Sequence, residues 1–446
     1  MEDWAAASLS PPPYTGACST LVEGLELRDP LLEGVSMKQL LAMAHGRDDA
    51  ALKKIMAQQG EPLWVDFARV KRGQALWREN LGAAYIALMA ALMLGFCIAR
   101  FAVVLVVSGY ASSTQATWQR FRATGFAVMD WLTFDLQGPG GGKQQPPSLA
   151  LRSIYRVRCM HELARRRVLE DDIAATLGVP LSQYDLGVVL LAFSGICFDI
   201  MEREIGASAL LPSERRDMVA VWRLIGWHLG IEDRFNACRD CATLDATCED
   251  FMRWVPQRFS SVRPETLTML LAVCRAFGSN SPLGVDWYVG WVTALLASPH
   301  RPSWGVLHGR QLWAHAEPLL RPRLGMPSVA WGMVRFAGGS KWASRALGAR
   351  LLAMRELHRD DPEFARKFEA SANRTSRLFD GYLWPVFSAI CTLVRLPLRL
   401  CALALPGKRE TVSPLSPMVA LQKVRELHTH HDPYGFHKIL GGGVRK

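Results

Sequence analysis

Apolar residues recur every three to four positions through most of this chain, and strict alternation is scarce. That period is helical, so the pattern predicts an all-α protein: a helical core with further helices and extensions at both ends. Ser36 is placed to cap a helix over Met37–Gln59. Glu61–Asn80 reads as a short linker entering a helix. Further helices are expected at Thr114–Leu136, Ser148–Leu169, Asp171–Leu177, Ser182–Ile205, Pro212–His228, Pro264–Phe277, Val285–Ala297 and Trp342–Leu357. Ser213, with Glu214 and Asp217 nearby, is the expected cap of the Pro212 helix. The Gly-rich stretch Gly138–Pro147 lacks phosphate-loop spacing and reads as a plain loop. Residues 298–340, rich in Pro, Trp and Gly, look less regular.

Two stretches are unusually apolar. Leu81–Ala99 runs 19 residues without a charge, and Phe101–Ser108 continues it beyond Arg100. Nineteen helical residues span about 28 Å, just under a bilayer core, so a membrane span and a buried central helix compete. The Ala and Gly content favours the buried helix. Leu383–Leu405, broken by Pro385, Arg395, Pro397 and Arg399, suits an interfacial segment as well as a core helix. The expected organisation is a flexible arm over 1–35, a helical domain over 36–340, and a C-terminal extension over 341–446 with a loose tail.

Charge and cysteine content narrow the class. The chain of 446 residues carries a net +11, which suits an anionic ligand, membrane lipid or nucleic acid. No nucleic-acid-binding pattern is present, so nucleic acid is not expected as a partner. The first residues are acidic and Pro-rich and lack the apolar core of a secretory signal peptide. The ten cysteines are therefore expected to be reduced and the protein intracellular. Cys238, Cys241 and Cys248 lack the second pair that a zinc ribbon needs and read as packed thiols. His428, His430 and His431 sit in an unframed tail and suggest adventitious metal binding at most.

Candidate chemistry concentrates in two helices. In the segment Ile154–Arg167, Ile154, Val157, His161 and Ala164 form one stripe at helical spacing, with Arg158 and Arg165 flanking His161. An imidazole in an apolar stripe is a packed core histidine or the proximal ligand of a haem iron. Flanking arginines are a solvated face or partners for propionates. In the upstream helix, Thr117, Arg120, Thr124 and Val128 share a face. Arg120 and Thr124 could there donate hydrogen bonds to bound dioxygen; an amphipathic surface helix is the plain alternative. His228 is a packed histidine, a sixth ligand or a channel residue.

The ordered set RFRAT, RVRCMHELARR, GVPLSQYDLGVVLLAFS and VWRLIGWHLGIED, preceded by WVDFARVKRGQALW, resembles the latex clearing protein, or rubber oxygenase, family. That family includes the endoplasmic-reticulum-bound fungal oxygenase of mycophenolic acid assembly. The likeness runs from Trp64 to Asp233 and only weakly beyond. It implies a globin-like helical core holding haem b and its iron, and dioxygen-dependent cleavage of isoprenoid double bonds. It makes His161 the axial ligand and Arg120 and Thr124 the distal pair. Arg158 and Arg165 match basic positions of the proximal helix more loosely. Two departures stand out. Ala123 occupies the place of a lysine in the bacterial rubber enzymes, and Val103–Val107, where an acidic base is proposed, has no carboxylate.

The sequence thus leads to a haem b-dependent oxygenase acting on an isoprenoid-like apolar chain with dioxygen, in contact with a membrane. The alternatives are a non-catalytic haem- or lipid-binding helical protein and a membrane-anchored structural protein without cofactor. Oligomeric state is not legible.

Overall fold

A computed structural model describes residues 28–96, 98–108, 114–137, 147–170, 179–207, 210–258, 264–279, 284–296 and 326–360. Among them every regular element is helical and none is a strand, so the fold class is all-α. The described residues of 1–108, 121–260 and 334–359 form one compact unit; those of 109–120, 261–333 and 360–446 form a second.

In the first unit the chain opens with α1 (Met37–Ala44) and α2 (Asp49–Gln59). Ser36 accepts from the Gln39 amide while the Gln39 side chain reaches back to Ser36, so this end is capped as its sequence requires. The expected single helix Met37–Gln59 is two helices. Gly46 takes a left-handed φ of +67° between them, and Asp48 caps the second. α3 (Phe67–Glu79) starts at Asp66, whose carboxylate accepts from the Arg69 amide. α4 (Leu81–Phe96) turns away from α3 by 87°.

Twelve of the sixteen residues of α4 are buried, which identifies it as a core helix. The apolar run does not continue straight: it breaks after Phe96 and resumes as α5 (Ala99–Val107). Among the described residues one helical run, Gln183–Ile205, is long and apolar enough to cross a membrane, and 72% of its apolar window is buried inside the protein. It comprises α8 (Gln183–Phe193), α9 (Gly195–Asp199) and a wide π turn, Ile200–Ile205. Ser194 interrupts it with a hydroxyl bonded to the Leu190 carbonyl at 2.8 Å.

α6 (Thr114–Thr133) and α7 (Leu149–Leu169) precede this run, and α10 (Pro212–His228) follows it. The cap of α10 is not Ser213. Pro212 occupies the first helical position, and the Glu214 carboxylate accepts from the Leu211 amide at 2.8 Å. Trp77 joins α3 to α10: its indole donates to the Met218 carbonyl and packs on Phe198 and Trp222 at 5.4 and 5.9 Å between ring centroids. α3 and α10 lie so close that a Cβ on Gly73 would collide with the Asp217 carbonyl oxygen. Gly73→Ala should therefore cost about 1–3 kcal/mol through forced separation of two helices. A lowered urea midpoint with unchanged slope checks this.

α11 (Cys241–Arg258) completes the central part of this unit. The second unit contains the hairpin of α12 (Pro264–Ser279) and α13 (Gly284–Leu296), in which Phe277 packs on Tyr288. Of residues 298–340, those from 326 on are described: Met326–Gly339 is helical (α14) and leads into α15 (Lys341–Asp360). Arg355 of α15 grips Asp130 of α6 with both arms of its guanidinium, at 2.9 and 2.6 Å.

Residues 28–35 correct the expectation of a loose arm over 1–35. Leu32 is fully buried against Leu40, Met43 and Tyr155, and Asp29 is buried as well. The expected elements 171–177 and 383–405, the Gly-rich loop over 138–146 and the C-terminal histidines lie outside the described residues.

Candidate functional site

α7 carries most of the candidate residues. Ser148 starts it: the hydroxyl accepts from the Leu151 amide and also donates to the Asp135 carbonyl at the end of α6. One turn further, the Trp131 indole of α6 donates to Ser153 of α7 at 3.1 Å. These two bonds tie the end of α6 to the start of α7.

Thr124 lines a small apolar pocket whose free space, about 10 Å³, is no more than one water needs. Leu81, Leu88, Val128 and Phe193 supply much of the wall, beside Thr124 and Tyr85. Gly125 leaves room for the Tyr85 ring, whose edge would lie 3.2 Å from an added Cβ. Arg120, one turn before Thr124, is half-buried and is not part of this wall. Thr117 and Val128, at the ends of the same helix face, are buried. Sequence reasoning missed Tyr85. Its signal was available, since Tyr85 is the only hydroxyl in the uncharged run Leu81–Ala99.

The arginines of α7 are placed differently from the sequence expectation. His161 and Val157 are half-buried, whereas Arg158 and Arg165 are 3% and 2% exposed. The most buried face of α7 therefore runs through Ile154, Arg158, Glu162 and Arg165, and His161 stands at its edge. Arg158 closes on Asp29 through Nε and Nη2, at 2.5 and 2.7 Å. Its Nη1 donates to Gln59 and to the His228 carbonyl, at 3.2 and 3.3 Å. Arg165 donates to Glu162 and to the carbonyls of Pro180 and Leu181. Arg166 donates to Glu162 and to the carbonyls of Leu32 and Val35. These guanidiniums clasp residues 29–35 and 180–181 to α7, so their donors are committed within the protein.

His228 is a core residue. Its Nδ1 lies 3.2 Å from the Tyr155 hydroxyl and its ring is buried. Burial, with the Arg158 charge beside it, pushes its pKa down to about 3. In the unfolded chain it titrates near 6.5. Between those values the unfolded state takes up a proton that the folded state refuses. Stability should therefore fall as pH drops from about 6.5 toward 3, by up to roughly 1.4 kcal/mol per pH unit from this group. His228→Gln should lose that contribution, so its difference from wild type in urea melts should change between pH 6.5 and 4.5. A pH-independent difference would contradict a neutral buried ring.

The thiols of the Cys238 corner are packed. Cys238 is fully buried, its Sγ donates to the Ser194 hydroxyl at 3.1 Å, and burial pushes its pKa up to about 12. Among the described residues no group of three or more His, Cys, Asp or Glu could hold a bare metal ion. A single imidazole such as His161 has the donor chemistry of an axial ligand to porphyrin-bound iron, which brings its other four ligands itself.

A family model described as ER-bound oxygenase mpaB/B'/Rubber oxygenase, catalytic domain, matches residues 77–370. Among solved structures, the chain is similar to a latex clearing protein in its closed state, at 15% identity and a TM-score of 0.45, over 78% of this chain and 88% of that one. Comparison with curated proteins gives no match. The family match spans well over half of the 446 residues and takes in α4, α6 and α7, which carry Tyr85, Thr124 and His161. The chain therefore belongs to the ER-bound oxygenase mpaB/B'/rubber oxygenase catalytic-domain family.

Proposed function

We propose that this chain is a haem b-dependent oxygenase that cleaves carbon–carbon double bonds of an isoprenoid or similar apolar chain with dioxygen. The observation that carries the reading is the family match over residues 77–370, a range that includes Thr124 and His161. His161 would hold the haem iron through its imidazole. The bound group would supply the redox chemistry with dioxygen. Arg158 and Arg165 keep α7 in place rather than meeting the propionates, because Asp29, Glu162 and backbone carbonyls already take their donors.

Thr124 stands beside this apolar pocket, and its hydroxyl is the group proposed to donate a hydrogen bond to dioxygen. Arg120, one turn away on the same helix, is its proposed companion on the dioxygen side. The apolar residues around Thr124 favour a hydrocarbon chain over a polar substrate and exclude water. The reaction balances without an external reductant. One double bond and one dioxygen give two carbonyl groups, each keeping one oxygen atom. A substrate of this kind resides in lipid, which supports action at an intracellular membrane, in keeping with the family's description as ER-bound.

The test is incubation of haem-loaded protein with a polyprenyl substrate under labelled dioxygen. One dioxygen consumed per bond cleaved, with label in both carbonyl products, is the expected result. Haem-loaded, folded protein that releases no product across a panel of polyprenyl chains would favour a non-catalytic haem or lipid binder. Thr124→Val should lower kcat/KM about ten- to a hundredfold while leaving haem content unchanged. Unchanged kcat/KM would remove Thr124 from the mechanism.

A further inference from the structure

A second cavity lies in the first unit and shares no wall residue with the Thr124 cavity. It forms where the start of α3, the middle of α10 and the Cys238–Cys241 corner meet. Its free space is about 120 Å³, close to the roughly 150 Å³ of an apolar cavity that admits a benzene-sized group.

Its floor is apolar, built from Trp64, Val65, Val70, Val219 and Ala220. Its rim is rich in arginine, with Arg69, Arg216, Arg223 and Arg239 against Asp66 and Asp240. The two carboxylates are engaged locally. Asp66 accepts from the Arg69 amide, and Asp240 accepts from the amide and hydroxyl of Thr243 at 2.7 and 3.0 Å. Arg223 is locked by a two-armed pair with Asp233 and lies 3.8 Å over the Trp64 ring, which fixes the floor. Arg69 has only a 3.6 Å approach to Asp217. Arg239 has a 3.3 Å bond to Thr243 and a 3.7 Å approach to Asp240. Arg216 is exposed at the rim and makes no hydrogen bond or ion pair with a described residue.

We propose that this cleft binds a small amphipathic oxyanion, a carboxylate or phosphate on a short apolar stem. The stem lies on Trp64 and the valines, and the oxyanion meets the open guanidinium of Arg216, with Arg69 and Arg239 at the sides. A few oriented polar groups above an apolar floor are what a selective small-molecule site requires. The guanidinium fork is the group that matches a planar or tetrahedral oxyanion with two parallel bonds. Both headgroups share that chemistry, so the test separates them.

Calorimetric titration of the full chain with hexyl phosphate, hexanoate, inorganic phosphate and hexanol tests the site. At least one hexyl anion should saturate at one per chain, and the tighter of the two identifies the headgroup. Inorganic phosphate and hexanol, each lacking half of the recognition, should bind at least about tenfold more weakly. Arg216→Gln, at an exposed position that leaves the fold intact, should weaken the hexyl anion about tenfold or more. Occupancy should also slow alkylation of Cys241, which lines the cleft, in wild type and not in Arg216→Gln. Three results would overturn the proposal: no saturable binding of either hexyl anion, equal affinity in Arg216→Gln, or inorganic phosphate binding as tightly as hexyl phosphate, which marks an adventitious ion only.

Discussion

His161→Ala should yield a folded protein that does not retain haem b. His161 stands at the edge of the buried face of α7 and is half-buried. The helix is held by other groups. Arg158 pairs with Asp29, Arg165 and Arg166 pair with Glu162, and Ser148 caps the start. None of these is touched by the substitution, and the expected loss of stability stays near the ~1 kcal/mol typical of single changes. The effect on the cofactor is of another order, because a proximal imidazole is the protein's one covalent hold on the iron. The purified variant should carry less than about a tenth of the wild-type Soret absorbance per chain. Its circular dichroism should be unchanged, and added imidazole should restore part of the band. Full haem content in the variant would remove His161 from the site.

Arg158→Met should act in the opposite sense, with a large loss of stability and no specific loss of haem affinity. Arg158 and Asp29 are 3% and 6% exposed at their side chains and close on each other in a two-armed pair. Removing the cation leaves the Asp29 carboxylate buried and uncompensated. Such half-broken pairs cost about 3–5 kcal/mol, a large part of the roughly 5–15 kcal/mol that holds a domain. Asp29 also ties residues 28–35 onto α7, so Leu32 loses its seat beside Tyr155 in the same event. The double variant Asp29→Leu with Arg158→Met removes both charges and should recover most of the loss. Urea melts of the single and double variants measure this directly. Haem titration of Arg158→Met while folded separates a structural role from propionate binding: unchanged affinity is expected, and a tenfold loss would return Arg158 to the haem pocket.

How far the sequence carries can be seen at these same residues. Helical periodicity indicated the fold class, and the cap at Ser36 and the burial of Leu81–Phe96 followed from residue type alone. Periodicity also proposed an apolar stripe through His161, and there it misled. Counting apolar residues assigns arginine to the surface, but a two-armed pair with Asp29 lets Arg158 enter the core, and Glu162 with the carbonyls of Pro180 and Leu181 does the same for Arg165. Those two carboxylates lie 129 and 3 residues away, and only the nearer is visible in a helical window. The same long reach orders residues 28–35, which look like an arm when read without their partner on α7. The Ser213 cap failed for a local reason: Pro212 shifts the helix start one residue earlier and hands the role to Glu214. Of the candidate site, the ordered motifs located His161, Arg120 and Thr124. Tyr85 was legible only as a lone hydroxyl in an uncharged run, and its place beside Thr124 depends on how α4 meets α6.

The central claim is that the His161 helix holds haem b. The most direct measurement is the ultraviolet–visible spectrum, with a pyridine haemochrome assay, of protein expressed with a haem precursor. One haem b per chain, with a Soret band that shifts when the iron is reduced and bound by carbon monoxide, is the predicted result. A colourless, folded protein that also fails to take up added haem would contradict it.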